Sequence, residues 1–171
     1  MKRYSIEWSA TYLSRLHKEY RRLSPFFDRK MIFLRRVAPR LESTYANGVL
    51  YAYNKNVYGI RLYDVNKWVP QYIVALLNSN VLDFYYKKRF TLKKEDVFPE
   101  IQAYLYEQLP IATATQVQQR PIITLVDRIL AVKKANPLAD TTAEEREIDR
   151  LVYDLYGLTE DEIAIVEGTT K

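Results

Sequence analysis

Apolar positions in residues 8–23 recur at spacings of three and four: Trp8, Tyr12, Leu13, Leu16, Tyr20 and Leu23. That period predicts an amphipathic helix. Its other face carries Arg15, Lys18, Arg21 and Arg22. Ser24-Pro25 ends it, because a residue before proline avoids the helical region. The pattern then changes. Residues 30–37 (KMIFLRRV) hold an unbroken apolar run at 31–34 and read as a buried strand, interrupted by Pro39. Residues 41–46 and 49–53 flank Asn47-Gly48, a pair that tolerates positive φ and marks a hairpin turn. Asn54-Lys55-Asn56 offers a second turn into residues 57–63. There Tyr58, Ile60 and Leu62 share one face, while Val57, Gly59, Arg61 and Tyr63 share the other. An antiparallel meander of three or four strands is expected.

Helical periods return with Pro70, well placed as a first helical residue, followed by Tyr72, Ile73, Leu76 and Leu77. Asn78-Ser79-Asn80 breaks this helix and caps the next. The second helix runs over residues 81–89, with Leu82, Tyr85 and Tyr86 on one side and Lys87-Lys88-Arg89 at its end. Residues 101–109 alternate Ile101, Ala103, Leu105, Glu107 and Leu109 with more polar neighbours and read as one more strand. Beyond them Ile122, Leu125, Val126, Ile129 and Leu130 follow a helical stripe, which Asn136-Pro137 ends. Thr142 and Glu145 have capping-box spacing before the stripe Ile148, Leu151, Val152 and Leu155, and Gly157 is a natural stop. Thr159 and Glu162 repeat the box before a short helix with Ile163 and Val166. The expected fold class is α+β: a small, mostly antiparallel sheet with flanking helices and a C-terminal helical extension. Residues 1–29 form a helical lead-in, 30–116 the α/β core and 117–171 the extension.

Composition narrows the chemistry. With 48% hydrophobic and 27% charged residues over 171 positions, the chain is expected to fold. It has no cysteine, which excludes disulfides, thiolate nucleophiles and Cys-based zinc sites. No apolar run approaches the ~20 residues that span a bilayer. The start, Met1-Lys2-Arg3-Tyr4, lacks a signal peptide's apolar stretch, so a cytoplasmic location without membrane contact is expected. The net charge of +5 is unevenly spread. Residues 1–100 carry 19 Lys/Arg against 9 Asp/Glu, and residues 101–171 carry 7 against 12. Of the 15 tyrosines, 13 lie at or before Tyr106. A basic, Tyr-rich body joined to an acidic tail points to a polyanion partner.

Catalytic signatures are missing. The four glycines build no phosphate loop, and there is no G-x-S-x-G elbow. His17, the lone histidine, sits among basic residues on the first amphipathic pattern and reads as a solvated side chain. Glu95-Asp96, Glu144-Glu145 and Asp161-Glu162 fall in polar connections or first helical turns, where carboxylates complement the helix dipole. No catalytic residue and no metal site is therefore expected.

What remains is basic residues interleaved with aromatics and amides. Lys30, Arg35, Arg36, Arg40, Lys55, Arg61, Lys87, Lys88, Arg89, Lys93 and Lys94 lie on or beside the sheet and the short helices. Lysine neutralises phosphates, and the arginine fork also grips guanine edges. Phosphate positioning falls to the lysines, and base readout to Arg36, Arg40, Asn56 and Tyr45. Tyr58 shares a face with Ile60 and Leu62 and is expected in the core. Adjacent strand residues face opposite ways, so at least one of Arg35 and Arg36 should be exposed.

Five phrases in order resemble the TaqI-like C-terminal specificity domain of adenine-specific methyltransferases and type IIG restriction-modification enzymes. They are Arg35-Arg36-Val37-Ala38-Pro39-Arg40-Leu41 with Tyr45; Tyr72-Ile73-Val74-Ala75-Leu76-Leu77-Asn78-Ser79 with Phe84-Tyr85-Tyr86; Leu109-Pro110-Ile111; Gln118-Gln119-Arg120-Pro121-Ile122 with Leu125-Val126-Asp127; and Ile148-Asp149 before Val152-Tyr153-Asp154-Leu155-Tyr156-Gly157-Leu158-Thr159. The third and fourth are also similar to the ends of target-recognition domains in type I specificity subunits. The resemblance covers roughly residues 30–166 and gives residues 1–29 no counterpart.

The resemblance implies a domain that does no chemistry. It would recognise double-stranded DNA by sequence, opposite the methyltransferase or nuclease domain of a parent protein. S-adenosylmethionine would be bound by that methyltransferase domain, which flips out an adenine. This chain has no Asn-Pro-Pro-Tyr motif and no cofactor loop, so no cofactor is expected on it. A fragment of a larger enzyme or a stand-alone specificity polypeptide is expected. The composition alone leaves two alternatives open: an RNA-binding module with tyrosine stacking platforms, and a protein-interaction scaffold whose basic face meets an acidic partner.

Overall fold

The computed structural model describes residue 4 and residues 31–46, 57–62, 64, 68–90 and 103–169. The predicted helix at 8–23 and its His17, the Asn47-Gly48 turn, the strand at 49–53 and the turn at 54–56 lie outside the described residues. So do Lys30, Lys55, Asn56, Lys93, Lys94 and the Glu95-Asp96 pair.

Strands β1 (Met31–Arg35), β2 (Ser43–Ala46) and β3 (Val57–Ile60) form an antiparallel sheet in the order β2-β1-β3. Ile32 sits opposite both Tyr45 and Ile60, and Leu34 opposite both Ser43 and Tyr58. The first strand is therefore central, and the order differs from the meander that the sequence suggests. Its unbroken apolar run explains the place, since a strand covered on both faces needs no polar alternation. Ile32 joins the main core, whereas Met31 and Phe33 pack with Ala46 and Val57 on the opposite face.

Helix α1 (Pro70–Asn78) is buried at every position except Gln71. It packs on β2 and on α4 (Gln116–Ala135), so it is the middle layer of the molecule. A helix that is apolar all round has no other stable place. Ser79 closes α1 and opens α2 (Asn80–Phe90): its hydroxyl donates to the Leu76 carbonyl at 2.7 Å and accepts from the Leu82 amide at 3.3 Å.

Residues 103–109 depart from the expected strand. Ala103–Tyr106 is a short helix, α3, followed by turns in which the Gln108 and Leu109 amides donate to the Leu105 and Tyr106 carbonyls. Leu109 is buried, Leu105 and Tyr106 are half-buried, and Tyr104 is 62% exposed. Burial at spacings of one, three and four is helical, and the alternation of Ile101–Leu109 misled because Tyr104 and Tyr106 on its polar face and Glu107 on its apolar face leave neither face clean. Phenols pin the segment that follows: Tyr72 Oη donates to the Ala112 carbonyl at 2.8 Å, and Tyr156 Oη to the Pro110 carbonyl at 2.6 Å.

Helix α4, α5 (Thr142–Tyr156) and α6 (Glu160–Glu167) complete the described elements. Thr115 and Gln118 form a capping box on α4, as Thr159 and Glu162 do on α6. The box expected at Thr142 and Glu145 is absent. Asp140 accepts both the Thr142 amide and hydroxyl, and Thr141 donates its hydroxyl to Glu145 at 2.7 Å. A neighbouring aspartate thus outcompetes the box. Gly157 takes φ 66°, and the Leu158 amide reaches back to the Tyr153 carbonyl, a left-handed stop. The fully buried stripe of this part is Ile122, Val126 and Ile129 against Ile148 and Val152, all within 1% of complete burial. Leu125 and Leu151, expected in that stripe, are only half-buried on its flank.

Polar cross-links tie the resembling phrases together. Asn78 Oδ1 accepts from the Ser43 amide at 2.7 Å, and its Nδ2 donates to the Ser43 carbonyl at 3.0 Å. Asp83 Oδ1 accepts from the Leu41 amide at 2.8 Å. Asp149 accepts from the Asn80 amide at 2.8 Å, and Asn80 Nδ2 donates to Tyr153 Oη. Each bond satisfies a group whose burial alone would cost about 1–3 kcal/mol.

Candidate nucleic-acid interface

The described candidate residues divide into two groups. Arg40 belongs to the framework: its Nη2 donates to the Asn78 carbonyl at 3.2 Å and to Asn80 Oδ1 at 3.0 Å, bracing the junction of α1 and α2. Tyr45 is half-buried against the main core, and burial, then the nearby Asp127 charge, raise its phenol pKa. Arg35 ends β1 and pairs with Glu42 at 3.0 Å, with 38% of its side chain exposed. Arg61, just after β3, is half-buried.

The second group collects around aromatic rings. The Arg36 guanidinium lies 5.9 Å from the Tyr58 ring centre. Tyr58 meets Tyr106 edge-on at 6.4 Å, Tyr106 stacks on Tyr86 at 6.0 Å, and Tyr86 meets Phe90 at 5.4 Å. Arg89 completes the row, its guanidinium 5.7 Å from the Phe90 ring centre. A single aromatic ladder thus runs from β3 through α3 to the end of α2, with an arginine at each end. Contact with a ring face holds a guanidinium plane in place at little entropic cost. Lys88, also exposed, lies 5.5 Å from the Phe84 ring centre. Lys87 is exposed but paired at 2.7 Å with Asp83. All three cations of residues 87–89 occupy the last turn of α2, where they also offset the helix dipole.

Sequence reasoning placed Tyr58 in the core, and the structure finds it half-buried, between Arg36 and Tyr106. It missed Tyr106 and Phe90, the rungs that join the two arginines. Phe90 directly follows Lys87-Lys88-Arg89, which was the available signal. Tyr106 gave none, because it was read on a strand. Its hydroxyl is buried without a hydrogen-bond partner. Burial first, then the neighbouring Tyr86, Tyr58 and Asp83, push its pKa far up.

Residues 1–111 match the sequence profile of the TaqI-like C-terminal specificity domain. The chain belongs to this family. No curated protein matches it. Family membership implies DNA target recognition in restriction-modification enzymes, as a typically non-catalytic part of them. The match takes in every candidate contact residue of this specificity domain, from Lys30 to Lys94, and both arginines of the ladder. It also includes residues 1–29, and it ends before α4. Among the described residues no three His, Asp or Glu side chains are grouped to hold a metal ion. None of the described helices is long and apolar enough to cross a membrane.

Two phenols of α5 predict the chain's response to alkali. Burial is the first cause that pushes Tyr153 up to about 12 and Tyr156 up to about 12. Each holds its proton more tightly folded than unfolded, where tyrosine titrates near 10. Their contribution is complete below pH ~10 and is lost as pH rises toward about 12. Urea midpoints followed across that window should fall, and Tyr153→Phe should make the decline shallower. An unchanged decline in Tyr153→Phe would remove this phenol from the account.

Proposed function

We propose that this chain is the sequence-specific duplex-DNA recognition module of a type IIG-like restriction-modification enzyme or an adenine-specific methyltransferase. The observation that carries the reading is the aromatic ladder with Arg36 and Arg89 at its ends, inside the family match. Lys88 and Arg89 at the end of α2 would contact phosphates, and Arg36 would read a base. Arg35, Arg61 and Lys87 are further contacts, with Lys30, Lys55, Asn56, Lys93 and Lys94 beside them. Arg40 and Tyr45 would act mainly by holding the framework. On this reading the chain's part is recognition, and catalysis falls to other domains of the parent. S-adenosylmethionine and the reacting adenine would belong to the parent's methyltransferase domain.

The reading is tested by selecting bound duplexes from a randomised pool with the purified chain, with an RNA competitor present. Enrichment of one sequence is expected, with affinity falling steeply as salt rises. Arg36→Ala should cost about 1–3 kcal/mol on the enriched sequence and much less on random DNA. Equal loss on both would make Arg36 a phosphate contact. RNA competing as well as the duplex, or no enrichment at all, would overturn the proposal.

A further inference from the structure

The hairpin of α4 and α5 leaves an open groove of about 490 Å³ on its outer side. Val117, Pro121 and Leu125 line it from α4, and Leu151 from α5. A smaller hollow beside it adds Leu155. Val117 is 82% exposed, and Leu125 and Leu151 are only half-buried. This is apolar surface left in water along a helical pair, the kind of face that marks an interaction site.

The charges on the groove indicate what covers it. Arg120 stands on the α4 wall, and Glu147 on the α5 wall. Asp154 borders the adjoining hollow from α5. Glu147 is already held by Arg150 at 2.7 Å, while Arg120 and Asp154 are exposed. The connection between the helices is short, so they run antiparallel. Thr124 and Glu147 line the groove together, and Pro121, Leu151 and Asp154 line the hollow.

A two-fold axis laid over the groove, parallel to the helices, keeps every residue at its own height and exchanges the two walls. Helix α4 of one copy then lies on α5 of the other. The α4 wall with Arg120 then faces the α5 wall with Glu147 and Asp154, twice by symmetry, over the apolar floor. We propose that this groove is the interface of a homodimer in which two α4–α5 hairpins form a four-helix arrangement. A partner carrying one sign of charge fits less well, because the two walls bear opposite signs. The inference does not depend on the DNA reading.

Sedimentation of the full chain from about 1 to 100 µM is the test, a range that covers micromolar association. A concentration-dependent dimer is expected. Val117→Asp, at a side chain 82% exposed, should abolish it. Arg120→Asp and Asp154→Arg should each weaken it about tenfold or more, and the double exchange should restore it. Circular dichroism on each variant confirms an intact fold. A monomer across the whole range overturns the proposal and leaves the groove to a different protein segment. A dimer that ignores all three substitutions also overturns it, by placing the interface elsewhere.

Discussion

A chain ended after Ile111 should fail to fold, although it keeps the whole family match. Truncation there removes Ile122, Val126, Ile129, Ile148 and Val152, all of which sit in the same buried cluster as Tyr72, Val74 and Leu76 of α1. Burying each such side chain is worth about 1.5–3 kcal/mol. Their sum is comparable to the net stability of an ordinary domain, about 5–15 kcal/mol. The truncation also frees polar groups: the Asn80 amide loses Asp149, and the Pro110 carbonyl loses Tyr156. Far-UV circular dichroism and NMR dispersion should show an unfolded or molten chain. A cooperative melting transition in residues 1–111 would show that the C-terminal helices are a separable addition.

The second large effect concerns the end of α2. The double variant Lys88→Ala, Arg89→Ala should lower affinity for every duplex sequence. Each neutralised phosphate contributes about 0.9 to the log–log salt slope, so the slope should flatten by about 1.8. Relative to 1 M salt, that corresponds to about 30-fold at 0.15 M. Both side chains are exposed, so the fold should be unaffected. Lys87 is the wrong residue for this measurement. Its ammonium pairs with Asp83, which also holds the Leu41 amide, so its removal would disturb the junction as well. An unchanged slope in the double variant would move the phosphate contacts away from α2.

Much of the fold was legible in the sequence where the signal is local. Pro70, Ser79, Gly157 and the Thr159–Glu162 box stand where helix starts and stops were expected. The run at 31–34 is a strand buried on both faces. Local signals failed where two neighbours competed. Asp140 took Thr142 from its expected box, and residues 103–109, read as part of a strand, are one helical turn with bends. For the candidate interface, the sequence offered basic residues near aromatics but no way to rank them. Arg36 and Arg40 stand four positions apart in one phrase, yet one faces a tyrosine ring and the other braces a helix junction.

By itself, then, the sequence determined the kinds of element, most of their ends and the concentration of positive charge before residue 101. Those depend on periodicity, capping and composition, which act over a few residues. Tertiary structure alone decided that β1 is central, that helices beyond the family match share its core, and that Arg36 and Arg89 end one aromatic ladder. Rings at positions 58, 106, 86 and 90 come from three separate elements. Tyr86, Tyr106 and Phe90 meet as part of the buried cluster that also holds α1, a long-range packing requirement that no local pattern encodes.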